Sequence, residues 1–512
     1  MKGSAIITSG MTTSIWLNDC EIPEFPALTS DFHAEICIVG AGITGLTTAY
    51  TLLNAGKKVI VLDDGQIGSG ETGRTTAHLS YALDDRYYEI ERLHGSKNSR
   101  LAAESHKAAI DYIEYIVSKE KIDCDFQRID GYLFRSPESR PDILQQELTA
   151  AQNAGITDAY YLEQTPLDGF EHEPCLCFPQ QAQFHPVKYL TQLAKIIERK
   201  GGHIFTKTRV IEVLAGEPVL IKTCNLGQNI SANVAIIATN APINDKILLH
   251  SKLIPYRTYV LAAKIPTGYI KPALYWDTAD PYHYIRMQKG SGHDWLIIGG
   301  NDHETGKTPV NQQPFLDLQQ WAKRHFPDIG EIGFQWSGQI LEPIDYLAFI
   351  GHHPLDGRNI YIATGDSGNG LTHGTIAGLL LTDLILGRNN NWQGLYKPTR
   401  LAVKSLAEYT IHNLQTISQY RDYITPAEVE SIQQIPLDSG AIMRDGLSKI
   451  AVYRDNKGNI HQCSAICTHM QGIVAWNPLE KTWDCPVHGS RFTATGEPLN
   501  GPACKSLMKI NN

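Results

Sequence analysis

The sequence has no surplus of positive charge: 45 lysines and arginines stand against 54 aspartates and glutamates, a net charge of -9. A nucleic-acid footprint would show as a basic balance or as basic runs, so no polyanion partner is expected. Long hydrophobic runs are also missing. The opening MKGSAIITSGMTTSIW lacks the continuous apolar core of a signal peptide, and no stretch reaches the ~18 uninterrupted apolar residues of a membrane span. A soluble, unexported, cytoplasmic protein is expected. Cysteine is sparse, ten in 512 residues, too thin for a disulfide scaffold. Cys20, Cys37, Cys124, Cys224, Cys463 and Cys504 read as buried small apolar residues. Cys175-Leu176-Cys177 is tighter than a usual ligand pair and has no histidine pair beside it. No internal repeat shows, and at about 150 residues per domain the length gives roughly three structural units.

What is present begins at Ala34, where AEICIVGAGITGLTTAYTLLNAGKKVIVLDDG reads as strand, glycine-rich turn, helix and second strand, one βαβ unit. Gly40, Gly42 and Gly45 form G-x-G-x-x-G in that context. The first permits the tight turn, the second lets the backbone approach a pyrophosphate, and the third lets helix and strand pack closely. The helix N-terminus offers amide donors and a positive dipole end to phosphate. Asp63 closes the second strand, the place for a carboxylate that accepts the ribose hydroxyls. The motif predicts a dinucleotide but does not separate NAD from FAD.

Further elements follow: a helix near Ser99 to Val117, a helix opening at Pro186, the strand NVAIIAT, and aromatic-rich strands such as YHYIRM and WLIIGG. A second glycine-rich turn, IYIATGDSGNG at 360–370, leads into an apolar helix from about Thr372 to Leu386, too short to cross a bilayer. A polar helix is expected over about Lys397 to Tyr423. Beyond ITPAEVE lie short strands broken by Asp, Gly and Asn, a small β module.

The second turn, together with GSGETGRTTAHLS at 68–80, resembles the FAD-dependent oxidoreductases of the D-amino-acid oxidase and glycine or sarcosine oxidase type. That resemblance implies FAD, with the ATGD-like segment beside the ribityl chain and the following helix aimed at the isoalloxazine. By it, Asp366 would bond the ribityl-phosphate region, Thr75 and Thr76 would lie against the flavin, and Val210 would hold the adenine by its backbone. Some members attach flavin through a histidine; His78 is the nearest here and falls in no attachment pattern.

The far end reads CSAICTHMQGIVAWNPLEKTWDCPVHGSRF. Its ligand spacing is C-x-H, fifteen residues, then C-x-x-H, so two loops each carry one thiolate and one imidazole. A Cys2His2 zinc finger would put both cysteines in one element and both histidines in another. The pairing is that of a Rieske [2Fe–2S] centre, where two histidines replace two cysteines on one iron. Cys467 and Cys485 are expected on one iron, and His469 and His488 on the other, solvent-facing one. GPA at 501–503 resembles the third loop over the cluster. The cysteines that form a disulfide in cytochrome bc Rieske proteins are replaced by Met470 and Val487. Ser490 stands where a hydroxyl can donate to a cluster sulfur, and Phe492 where high-potential proteins have tyrosine. Fewer donors to the sulfurs imply an intermediate or low potential.

The expected architecture is an α/β FAD-binding domain with an inserted mixed α+β substrate domain, over 31–424, followed by a small all-β Rieske domain over 425–512. The expected reaction is oxidation of a small amine or amino-acid derivative at FAD, with electrons passing one at a time to the cluster and on to a one-electron acceptor protein or carrier. The rivals are a reductase running the other way and an electron-transfer adaptor without turnover. Relatives that take free amino acids often show W-x-G-x-R-P before an Asp; here WSGQILEPID puts Ile340 at the arginine's place. Arg286, two residues from Tyr284 on one strand face, is the candidate replacement, and the two are the candidate catalytic pair. His185 precedes Pro186, where it can cap a helix or act in catalysis.

Overall fold

The computed structural model describes residues 9–510, apart from 225–226, 245–247, 308–311 and 402. Its first sheet has eight strands, with Phe349–His352, Ile360–Thr364, Asn229–Ile237, Phe32–Val39, Val59–Leu62 and His203–Phe205 side by side in that order. The inner four run parallel, Cys37 lying opposite both Ile60 and Ala235. Val59–Leu62 is buried at every position, as a parallel strand covered on both faces must be.

The helix Ile43–Asn54 packs against the later helix Gly370–Ile385, which bears the second glycine-rich turn at its start. Glycines make that contact possible. A Cβ on Gly374 would lie 2.7 Å from the Ile43 and Thr44 side chains, and one on Gly378 2.6 Å from Thr47.

The chain leaves this sheet twice, after Val59–Leu62 and after Asn229–Ile237, and both excursions build one nine-stranded sheet. Its longest pair, at one end of the strand order, is Leu253–Ile265 with Ile332–Pro343. YHYIRM supplies the strand Tyr284–Gln288 and WLIIGG lies in Asp294–Glu304, as the aromatic pattern predicts. The linker differs from expectation: its helix is Leu406–Ser418, flanked by 3-10 turns at Val403–Ser405 and Gln419–Tyr423. Pro398 holds Lys397 extended, with ψ 126, so the helix begins later.

The C-terminal region has two antiparallel sheets, of three and four strands, around buried Trp483, Phe492, Ala451 and Ala465. Charge joins it to the rest. Glu480 lies 3.3 Å from Arg74 and 3.4 Å from Arg257, and Arg491 lies 3.0 Å from Asp484, all with side chains at most 2% exposed. The three guanidinium groups hold the Glu480 carboxyl far below its ordinary value even though burial pushes it up. The N-terminal segment runs through the same seam: Thr12 donates its amide to Glu480 at 2.9 Å, while Arg74 donates to the Thr12 carbonyl at 2.7 Å and Arg491 to that of Ser9 at 2.6 Å. Swapping such a network for apolar groups is often neutral, but removing one partner strands buried charges.

Candidate cofactor sites

Gly40, Gly42, Asp63, Thr75, Thr76, Val210, Asp366 and Tyr284 all line one cleft, which runs from the first glycine-rich turn to the second. Gly40 takes φ +112 against the Ala238 carbonyl, and Gly45, one turn into the helix, would drive a Cβ to 1.8 Å from the Gly40 carbonyl oxygen. The two glycines therefore seat the helix start on the strand. Gly42 caps that helix without a side-chain hydrogen bond; the Ile43 amide donates to the Thr72 hydroxyl at 3.2 Å, and the positive end of the helix dipole faces the cleft. Asp63 accepts from the Ala41 amide at 2.7 Å and the Gly65 amide at 2.8 Å, bracing the turn as well as facing the cleft. Burial, and then the charge of Asp64, push its pKa up to about 7.

At the other end Asn369 caps the helix Gly370–Ile385, again with no side-chain bond. Asp366 precedes it, accepting from the Leu341 amide at 3.3 Å, and burial pushes its pKa up to about 7. Two helix starts on one cleft fit a ligand with a pyrophosphate near the first and a developing negative charge near the second. FAD is such a molecule, and NAD would leave the second helix start without a role.

Beyond Thr75 and Thr76 the cleft ends among polar side chains that no local motif announces. Tyr284 hydrogen-bonds Thr258 through its hydroxyl, Tyr282 donates to Asp84 at 2.6 Å, and His78 stands edge-on to Tyr284. His78 also meets the Thr76 hydroxyl at 3.0 Å, and burial lowers its pKa to about 3. Behind them burial holds Asp302 up at about 7, and burial with Asp84 and Asp302 holds Glu342 up at about 8. Ile340 lines the cleft where an arginine would grip a carboxylate.

Arg286 is placed differently from what such a grip needs. It is fully buried outside the cleft lining, donating to the carbonyls of Ala77 at 3.0 Å, Phe184 at 3.2 Å and Thr76 at 3.3 Å, and to Gln288 at 2.5 Å. Strand alternation put it on the Tyr284 face, but those carbonyls take up its donors first. His185 is a helix cap, its Nδ1 accepting from the Lys188 amide at 3.1 Å.

The second site lies in two tight loops. The Cys467 amide bonds the Gly472 carbonyl at 2.9 Å and the Cys485 amide the Ser490 carbonyl at 2.8 Å, closing each loop on its ligands. The two thiols are within hydrogen-bonding reach of each other, and the His469 and His488 rings are 5.1 Å apart. His488 Nδ1 is buried with no partner among the described residues, and burial lowers the pKa of this imidazole to about 2, leaving it neutral as a ligand must be. No three metal-binding side chains among the described residues converge on one ion. A binuclear cluster asks instead for two ligands at each iron, which this arrangement offers. Ser490 lies within reach of Cys467 and accepts from the Ala503 amide at 3.1 Å.

The two histidines are half-buried, and part of their cover comes from the other region: His250, next to the long strand Leu253–Ile265, packs 4.9 Å from the His469 ring and 5.4 Å from that of His488. Beside it Gln339, which lines the FAD cleft, donates to the Gly489 carbonyl at 2.8 Å.

Fold and sites together define a flavoprotein oxidoreductase with a Rieske module docked on it. Residues 35–384 match the family described as FAD dependent oxidoreductase and residues 427–511 the Rieske [2Fe-2S] domain, and the chain belongs to that oxidoreductase family. Its cofactors are FAD and a [2Fe-2S] cluster, and it is an FAD-dependent oxidoreductase. Among relatives, YhfW of Bacillus subtilis (strain 168), named for a Rieske 2Fe-2S centre, is 31% identical over 499 residues, 97% of both chains. Gamma-glutamylputrescine oxidoreductase of Escherichia coli (strain K12) is 23% identical over 381 residues, 71% of this chain and 86% of that one. The glycine oxidase structure from Geobacillus kaustophilus, at 19% identity, superposes with a TM-score of 0.60 over 72% of this chain and 99% of its own, a likeness of fold. No helix among the described residues is long and apolar enough to cross a membrane.

Proposed function

We propose that this chain oxidises a cationic amine, or an amino-acid derivative presenting one, at FAD, and that the electrons leave one at a time through the Rieske cluster to a separate acceptor protein or carrier. Bound FAD supplies two-electron acceptance and the cluster one-electron carriage. The observation that carries the reading is Gln339, whose side chain lines the FAD cleft and bonds the residue next to the ligand His488. A contact this short, inside one chain, favours transfer within the molecule over transfer between molecules.

The substrate class rests on the polar end of the cleft. Asp84 is in the lining, Asp302 and Glu342 stand behind it, and the nearby guanidinium of Arg86 is engaged by the Asp84 and Asp277 carbonyls, which suits an ammonium group and disfavours a lone carboxylate. Tyr284 is the proposed catalytic residue there. Arg286 is proposed as a positioning residue, holding the Thr76–Ala77 backbone under the place of the flavin edge. Nine of the ten cysteines are covered or half-covered, in keeping with a cytoplasmic setting.

Anaerobic titration with a panel of mono- and diamines tests this. The true substrate should bleach the flavin and, in the same mixing, raise the cluster's paramagnetic signal. Bleaching without cluster reduction would sink the exit role, and reduction of the flavin only from an external one-electron donor would establish the reverse direction.

A further inference from the structure

The FAD cleft has a wall that the oxidoreductase fold does not supply. Pro498, Leu499, Asn500, Gly501, Ala503 and Cys504, from the end of the Rieske module, line it together with the glycine-rich turn, Asp63 and Val210. Their placement is fixed from the flavin side. Asn500 donates to Glu71 at 3.0 Å and accepts from Arg491 at 3.3 Å, so its amide is held between the two regions. Gly501 packs on Ala241 and Ile243, just beyond the strand Asn229–Ile237. Cys504 lies close enough to Asp64 and Arg209 for their charges to act on its thiol, which marks the adenosine end.

The same short stretch closes the cluster from the other side. The Ala503 amide donates to Ser490, whose hydroxyl lies within reach of Cys467, and the Thr468 hydroxyl donates to the Lys505 carbonyl at 2.7 Å. One loop is therefore a common wall between two cofactor sites.

We propose that residues 498–504 of the Rieske module are part of the FAD-binding site, covering its adenosine half, so that FAD retention and cluster loading are linked. The wall suits its ligand: apart from Asn500 and Cys504 it presents proline, leucine, glycine and alanine, apolar surface without charge for an adenosine to pack on. Linkage between two sites is reciprocal, so whatever the cluster adds to FAD binding, FAD adds to cluster retention.

The test uses the full chain, depleted of FAD with its cluster retained, and titrated with FAD by flavin fluorescence quenching. Leu499→Ala should raise the FAD dissociation constant roughly three- to tenfold, the loss of one leucine contact. Leu499→Asp, which puts a negative charge beside a dinucleotide, should raise it further. Iron content and the cluster's paramagnetic spectrum should stay at wild type in Leu499→Ala. Wild-type protein stripped of iron should bind FAD more weakly than the cluster-loaded form. A dissociation constant within twofold of wild type for Leu499→Ala overturns the proposal, and if Leu499→Asp also loses iron the alanine variant alone decides. Asp63→Ala is the control: if it too leaves FAD binding unchanged, the cleft itself has been misplaced and not only its wall.

Discussion

The FAD cleft and the cluster site differ in how much chain each one needs. The four proposed cluster ligands fall within Cys467 to His488, and the backbone bonds that hold them close within each loop. The cleft draws on residues from Val39 to Cys504. A site built from two tight loops can be specified by local spacing, because each loop folds on its own ligands. A site built from a sheet's edge, two helix starts and a foreign loop exists only once the whole chain is in place.

The sharpest way to break this comparison is Cys485→Ser. A hydroxyl is a poor replacement for thiolate on iron, so the cluster should be lost altogether, measured as iron content and paramagnetic signal. The flavin should still bind at saturating FAD and still be bleached by substrate in one anaerobic turnover, while turnover with a one-electron acceptor collapses. Unimpaired turnover with that acceptor would show that the cluster is not on the route.

Next comes the seam between the regions. Glu480→Gln leaves Arg74 and Arg257 buried without their charge partner, at an expected cost of about 3–5 kcal/mol. Denaturant unfolding followed by flavin fluorescence and by cluster absorbance should then separate into two transitions. A single transition at the wild-type midpoint would mean the ion cluster contributes nothing to docking.

Asp63→Ala should act on one region only. Losing an acceptor for the ribose hydroxyls costs about 1–1.5 kcal/mol, roughly a tenfold weaker FAD dissociation constant, with iron unchanged. The smallest effect is with pH. Glu480 in the folded chain ionises far below its ordinary value of 4.5, so its stabilisation is complete above that value and is lost as pH falls below it. Stability should therefore change little with pH on account of this group down to about 5, with an acid limb below that is shallower in Glu480→Gln; an acid limb of the same slope in the variant would assign it to other carboxyls.

What was legible in the sequence follows the same divide. The glycine-rich turn with Asp63 and the Cys-x-His and Cys-x-x-His pairs could be read because their chemistry is set by neighbours a few residues away. Gln339, Asp84, Tyr282 and Asn500 could not, since each gains its meaning from a partner far along the chain. Arg286 shows why strand alternation alone misleads: it gives the face of a side chain but not the carbonyls that reach it first. The packing of His250 on the two histidines was hidden for the same reason, because nothing near His469 or His488 points to it.

The N-terminal segment in the seam has a consequence in time. Thr12 bonds Glu480 across 468 residues of chain. At roughly 5–20 residues per second of synthesis, Thr12 is made on the order of half a minute or more before its partner exists. Until then Arg74 and Arg257 lack the carboxylate they pair with in the seam, and the oxidoreductase fold waits with its flank open. The later-made stretch is thus the one that seals the earlier, and any agent that delays folding of the Rieske module, such as a shortage of iron for its loops, prolongs the exposure of the segment around Thr12.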